Sequence, residues 1–167
     1  MRLFYINIEQ AKEIHRKTVE VSGGGDDSIL DIGKLESVLD HIQNDDYYPD
    51  FVDKLTHLFF CSNKFHCFND GNKRIAIALG AHFLLINGYV FIVSRFIREM
   101  ENISYHVASG AIDKDLLFEV ISSVINEPEI NEEIKLKIFE AISNHEIKTL
   151  HLGLTKMPKS RSSSIYY

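Results

Sequence analysis

The sequence predicts an all-α fold, a compact helical domain with a short flap and an extra C-terminal helix. Three observations carry that expectation. Apolar residues recur at helical spacing in segment after segment from residue 8 to about residue 142. Residues suited to helix starts and stops punctuate those segments, with Asn7, Asp31 and Asp113 at starts and Gly23, Gly88 and Gly110 at stops. Candidate strands are confined to two short runs, Leu3-Phe4-Tyr5-Ile6 and Tyr89-Val90-Phe91-Ile92-Val93. Six or seven helices and little strand are expected.

In chain order, Leu3 to Ile6 reads as a strand or an extended arm. Asn7 followed three residues later by Gln10 has the pattern of a capping box. The helix it opens carries Ile8, Ala11, Ile14 or His15, Thr18 and Val21, and Gly23-Gly24-Gly25 stops it. No Gly-Lys-Ser or Gly-Lys-Thr follows the glycines, so they read as a stop and not as a phosphate loop. Asp31 caps a second helix with Leu35, Val38, Leu39 and Ile42 on one face. Pro49 disfavours a helical Tyr48 and makes the Gln43–Pro49 segment a turn, hairpin or flap. It reads either as a surface connection or as a docking edge built on Tyr47 and Tyr48.

A third helix is expected from about Asp50 to Ser62. The fourth contains Ile75-Ala76-Ile77-Ala78-Leu79-Gly80-Ala81-His82-Phe83-Leu84-Leu85-Ile86, in which His82 is the one clearly polar residue. A helix apolar all round runs through the centre of a domain, and this one is too short for a bilayer, which needs about 20 such residues. Asn87-Gly88 stops it. The run from Tyr89 to Val93 reads as a strand or an extended connection, with Ser94 capping a helix to about Ser109. Asp113 caps another to about Asn126, Pro128 breaks the chain, and a last helix places Ile130, Ile134, Ile138, Ala141 and Ile142 on one stripe. The expected division is a core of residues 1–127, an added helix over 128–150 packed on or near it, and a flexible tail over 151–167 whose Lys156 to Ser164 stretch is polar and basic.

Composition bounds the function. The chain has 167 residues, 45% of them hydrophobic and 25% charged, as for one ordinary soluble domain. A net charge of −6 argues against a non-specific nucleic-acid binder. Cys61 and Cys67 match neither a zinc nor a redox spacing and read as free thiols in a reducing compartment. The N-terminus lacks the basic and apolar blocks of a signal peptide, so the expected location is the cytoplasm.

The chemistry is concentrated in His66-Cys67-Phe68-Asn69-Asp70-Gly71-Asn72-Lys73-Arg74, at the N-terminal mouth of the apolar helix. Unpaired N–H groups and the positive end of the helix dipole there suit phosphate. His66 suits proton removal from an acceptor hydroxyl. Asp70 suits Mg²⁺, which takes one or two carboxylates beside phosphate oxygens. Gly71, Asn72, Lys73 and Arg74 offer backbone donors, an amide and two cations to the phosphates. Phe68 reads as the buried anchor of the loop. Singly, each residue has an ordinary explanation. Their convergence within nine residues makes a nucleotide site.

That stretch resembles the signature of the Fic/Doc family, H-x-F-x-[D/E]-G-N-[G/K]-R, and the resemblance extends over roughly residues 1–126. It implies the small all-α Fic/Doc fold and ATP with Mg²⁺ as co-substrate and metal. It further implies His66 as the general base acting on a protein Ser, Thr or Tyr hydroxyl, Asp70 as metal ligand, and Gly71, Asn72 and Arg74 as anion-binding positions. Tyr47 and Tyr48 fall where the family's target-docking flap is expected. Lys73, where AMP-transferring members usually have glycine, is similar to the Doc, or death-on-curing, branch. There the γ-phosphate is transferred and translation elongation factor Tu is the target class, which implies the toxin of a toxin–antitoxin pair and an antitoxin protein as partner. AMP transfer and a non-catalytic nucleotide- or partner-binding module of the same fold stand as alternatives. Direct nucleic-acid or membrane binding is not expected.

Two departures from the family pattern are visible. Cys67 stands where proline is commoner and reads as a buried spacer. The extension beyond residue 127 is absent from compact Doc-like members. Its Ser123-Val124-Ile125-Asn126-Glu127-Pro128 approximates the inhibitory pattern [S/T]-x-x-x-E-[G/N], with proline at the last place. Self-inhibition by Glu127 is the lesser reading of it.

Overall fold

The computed structural model describes residues 2–25, 28–69 and 71–155, with the side chains of 153–155 left aside. Among the described residues the chain forms seven α-helices and no strand: α1 Ile8–Val21, α2 Ile32–His41, α3 Phe51–Lys64, α4 Asn72–Ile86, α5 Val90–Ser109, α6 Lys114–Asn126 and α7 Glu132–Thr155. The domain is all-α, as expected. The tail beyond residue 155 lies outside the described residues.

Local chemistry explains most of the helix ends. Asn7 and Gln10 form the reciprocal capping box, each side chain bonded to the other's backbone N–H. Asp31 accepts the Lys34 N–H, and Asp113 accepts the Leu116 N–H. Asn87 ends α4 and holds the extended arm before α1. Its amide oxygen accepts the Phe4 N–H, and its NH₂ donates to the carbonyls of Phe4 and Phe83. Residues 3–6 are therefore an arm and not a strand.

The run Tyr89 to Val93 is helical, since α5 begins at Val90. Its β-branched and aromatic content favours a strand, yet Ile92 and Val93 pack against the core while Phe91 stands 99% exposed. That division follows a helical face, and packing overrides the local preference.

α4 lies at the centre, between α3, α5 and α1. Ile75, Ala76, Leu79, Gly80, Ala81, Phe83 and Leu84 are buried. Its far end opens at Leu85, so the expectation of burial all round holds only for most of the helix. Gly80 sets the closeness of α5: a Cβ there would meet the Phe96 ring at 2.8 Å and Leu55 at 3.3 Å. α3 also supports α2 and α6, so the loop between α3 and α4 is anchored from both sides. α7 packs on α6 through Ile134, with Ile138 half-buried on the same side.

Candidate active site

The α3–α4 loop is held in one shape by pairing on both sides of Phe68, with backbone on one side and a side-chain amide on the other. On one side Phe68 lies opposite Ile29 in an isolated antiparallel bridge. The Cys67 carbonyl accepts N–H groups from Leu30 at 2.9 Å and Asp31 at 3.2 Å, and the Asn69 N–H donates to the Ser28 carbonyl at 3.1 Å. Phe68 and Ile29 are thus a non-hydrogen-bonded pair, and the N–H and C=O of Phe68 face the other way. There Asn72 takes both: its amide oxygen accepts the Phe68 N–H at 3.2 Å, and its NH₂ donates to the Phe68 carbonyl at 2.8 Å. The Phe68 ring is fully buried and stacks on His15 of α1 at 3.8 Å between centroids.

The loop begins and ends with left-handed residues. His66 has φ +48°, uncommon for a residue with a side chain, and Gly71, the N-cap of α4, has φ +79°. Gly71 tolerates this at no steric cost. A Cβ on Gly71 would sit 3.5 Å from an Arg74 guanidinium nitrogen, which places that cation beside the mouth of the helix. The left-handed turn at His66 leaves its side chain exposed while Cys67 and Phe68 go inward.

His66, Gly71, Asn72, Lys73 and Arg74 line one open cavity of about 450 Å³, together with Asn63, Asn69 and Ala108. The Lys73 ammonium lies 5.3 Å from the centre of the Tyr105 ring on α5, a cation–π contact. Lys64 reaches the Ala108 carbonyl, and Asn63 donates to the Ser104 carbonyl, so α5 closes the side of the cavity. No acidic residue lies in the first turn of α4. The arrangement can hold an anion against backbone N–H groups and two cations, with an imidazole at its edge.

Asp70 lies outside the described residues. Among the described residues no group of three or more His, Cys, Asp or Glu is placed to hold a metal. The donor chemistry nevertheless suits Mg²⁺, which needs only one or two carboxylates when phosphate oxygens and water complete its shell. Asn63 lines the cavity, and its Oδ1 is buried without a hydrogen-bond partner among the described residues.

Tyr47 and Tyr48 are not brought to this cavity. They line a separate one of about 360 Å³ with Thr56, Lys114 and Phe118. Tyr47 is exposed, and the Tyr48 hydroxyl lies 2.9 Å from His57 Nδ1. Lys114 also reaches that Nδ1 at 3.0 Å, and Cys61 Sγ lies 3.6 Å from Nε2. Burial first, then the charge of Lys114 and the neighbouring His41, pushes the His57 pKa down to about 4. Burial pushes the Cys61 thiol up to about 11 and raises Cys67 as well, so both free cysteines are protonated and unreactive.

Beside the loop lies instead the Ser28–Asp31 segment, which local sequence gave no reason to place there. Asn63 and Tyr105 were missed for the same reason, being distant in sequence from the motif. Glu127 is held at the α6–α7 turn: its carboxylate accepts from the Ser123 hydroxyl at 3.1 Å and from Asn131, and its carbonyl accepts from Arg95.

Residues 5–84 match the Fic/DOC family model. The match spans α1 to α3, the loop and nearly all of α4, and stops before α5. Members of this family are usually transferases that generally use ATP with Mg²⁺ and act on proteins, often in company with antitoxins. No curated protein matches the chain. No helix among the described residues is long and apolar enough to cross a membrane.

Proposed function

We propose that this protein is an ATP-dependent transferase that phosphorylates a hydroxyl of a target protein in the manner of the Doc branch. The observation that carries this reading is the single cavity shared by His66, Gly71, Asn72, Lys73 and Arg74 at the electropositive tip of α4. In the proposed step His66 takes the proton of a Ser, Thr or Tyr hydroxyl. The freed oxygen bonds to the γ-phosphorus of ATP, the bond from that phosphorus to its bridging oxygen breaks, and ADP leaves. Backbone N–H groups at Gly71 and beyond, with Lys73 and Arg74, hold the phosphates in place. Asp70 would hold Mg²⁺, which supplies charge neutralisation at the phosphates.

Lys73 supports γ-phosphoryl transfer over AMP transfer, since a cation beside the phosphates changes how the nucleotide sits. One observation favours the second reading, adenylyl transfer: the Lys73 ammonium rests on Tyr105, turned toward α5. A translation elongation factor Tu-type target, an antitoxin partner, a toxin role, a cytoplasmic location and target docking by Tyr47 and Tyr48 belong to the same proposal. So does the division into a Fic/Doc-like core over 1–127 and an added helix.

Incubation with ATP labelled at the γ or, separately, the α position, in a bacterial extract, tests the chemistry. Label from the γ position alone supports phosphorylation, label from the α position alone supports AMP transfer, and neither label supports a binding module. Growth arrest on expression, relieved by His66→Ala, is the expected cellular result.

A further inference from the structure

We propose that α7 is a self-association surface on which two copies of this chain pair antiparallel about Ser143. The helix carries two apolar stripes. One, with Ile134, Ile138 and Ile142, faces the domain and is buried or half-buried. The other consists of Leu136, Phe139, Ile147 and Leu150, which are 56%, 66%, 53% and 66% exposed. At about 100° per residue the second stripe lies within an arc of roughly 80°, about 140° round the helix from the first. A soluble helix ordinarily has one such stripe.

The spacing identifies the occupant. Leu136 and Leu150 lie seven residues on either side of Ser143, and Phe139 and Ile147 lie four on either side. A two-fold axis at Ser143 sets Leu136 against Leu150 of the second copy, and Phe139 against its Ile147. The two remaining pairs repeat these, as an isologous interface requires. The half-buried serine at the crossing is small enough for the two helices to approach closely. A partner of another sequence would not require this symmetry of spacing.

At the exposures above, the four side chains offer up to about 500 Å² of surface per copy, hence at most roughly 1,000 Å² in the pair, the size of a weak, concentration-dependent interface. Leu136 and Phe139 face solvent, whereas Leu150 also borders an open groove with Tyr105, His106 and Ser109 of α5, so at that end the second copy lies beside α5. One flank is charge-complementary: Lys135 of one copy falls on the same flank as Glu146 of the other.

Sedimentation equilibrium on the full chain, from micromolar to several hundred micromolar, tests the inference. The expected mass rises with concentration from 19.2 kDa toward twice that value. Phe139→Glu and Ile147→Lys, both at exposed positions, should each leave a folded monomer with unchanged far-ultraviolet circular dichroism. Mixing these two variants is the decisive arm. Antiparallel pairing sets Glu at 139 of one against Lys at 147 of the other and leaves the second such pair apolar, so the mixture should recover heterodimer. A wild-type chain that stays monomeric throughout, a dimer that persists in both variants, or a mixture that fails to associate overturns the proposal.

Discussion

Replacing Asn72 by alanine removes the only pairing, among the described residues, of the outward-facing N–H and C=O of Phe68, while leaving the Ile29 side of the loop intact. An unmade hydrogen bond at a buried backbone group costs about 1–3 kcal/mol. Both groups here are partly buried beside an open cavity, where water can enter, so each falls at the low end and together they amount to about 2 kcal/mol. The better helix propensity of alanine returns about 0.5 kcal/mol. The net loss of about 1.5 kcal/mol lowers the melting temperature by roughly 3–6 °C in a chain of this size. Urea unfolding followed by circular dichroism should show a lower midpoint with an unchanged m-value. Asn72→Asp keeps the acceptor for the Phe68 N–H and adds charge favoured at a helix start, so it should lose about half as much. A loss below about 0.5 kcal/mol in Asn72→Ala would refute the idea that this amide holds the loop.

The remaining expectations follow from particular contacts. Gly71→Ala forces an L side chain into φ +79° and should destabilise by about 1–2 kcal/mol, read as a urea midpoint, without steric conflict with Arg74, whose nearest atom would be 3.5 Å away. His57 is held neutral down to about pH 4, well below its unfolded value of about 6.5, so its contribution is whole above pH 6.5 and is lost as pH falls through 4. With allowance for solvent near the cluster, that loss is about 2 kcal/mol, and His57→Gln should flatten the pH dependence of the urea midpoint over this window. Glu127→Ala should leave the proposed transferase activity unchanged, because the carboxylate is engaged by Ser123 and Asn131, and should cost about 0.5–1 kcal/mol of stability. A rise in labelling by that variant would reinstate self-inhibition.

What could be read in the sequence is what depends on neighbours in sequence. Asn7, Asp31 and Asp113 cap helices through bonds three residues long, so they declare themselves. The proposed phosphate-binding set is equally local: Gly71 caps one helix and Asn72, Lys73 and Arg74 open its first turn. Long-range features leave no such trace. The pairing of Ser28–Asp31 with the loop joins residues some forty apart, and Tyr105 reaches Lys73 from a helix beyond α4. The segment from Val90 to Val93 misled for a related reason. Its composition suits a pleated surface, and only the packing of Ile92 and Val93 shows it to be a helix. Tyr47 and Tyr48 lie apart from the motif's cavity because α3 carries its two ends to different cavities, Asp53 and Thr56 lining one and Asn63 the other, a separation that local sequence does not show.

The loop combines a rigid frame with one adjustable cation. A backbone bridge on one side of Phe68, the Asn72 side-chain amide on the other, a stacked His15 and two left-handed residues fix the path from His66 to Gly71, so the imidazole and the helix tip keep their separation. The Arg74 side chain lies over Gly71, close to its own backbone. Lys73 is different: it is exposed, and its contact with Tyr105 is a surface cation–π pair worth about 0.5–1 kcal/mol. A bound triphosphate offers an ammonium more than that through charge-assisted hydrogen bonds. The balance between Tyr105 and a bound phosphate would therefore be easily tipped. Under the proposed function, the frame would serve hydroxyl activation in either transfer, and the choice between phosphate and AMP would rest with Lys73 and the ring it lies against.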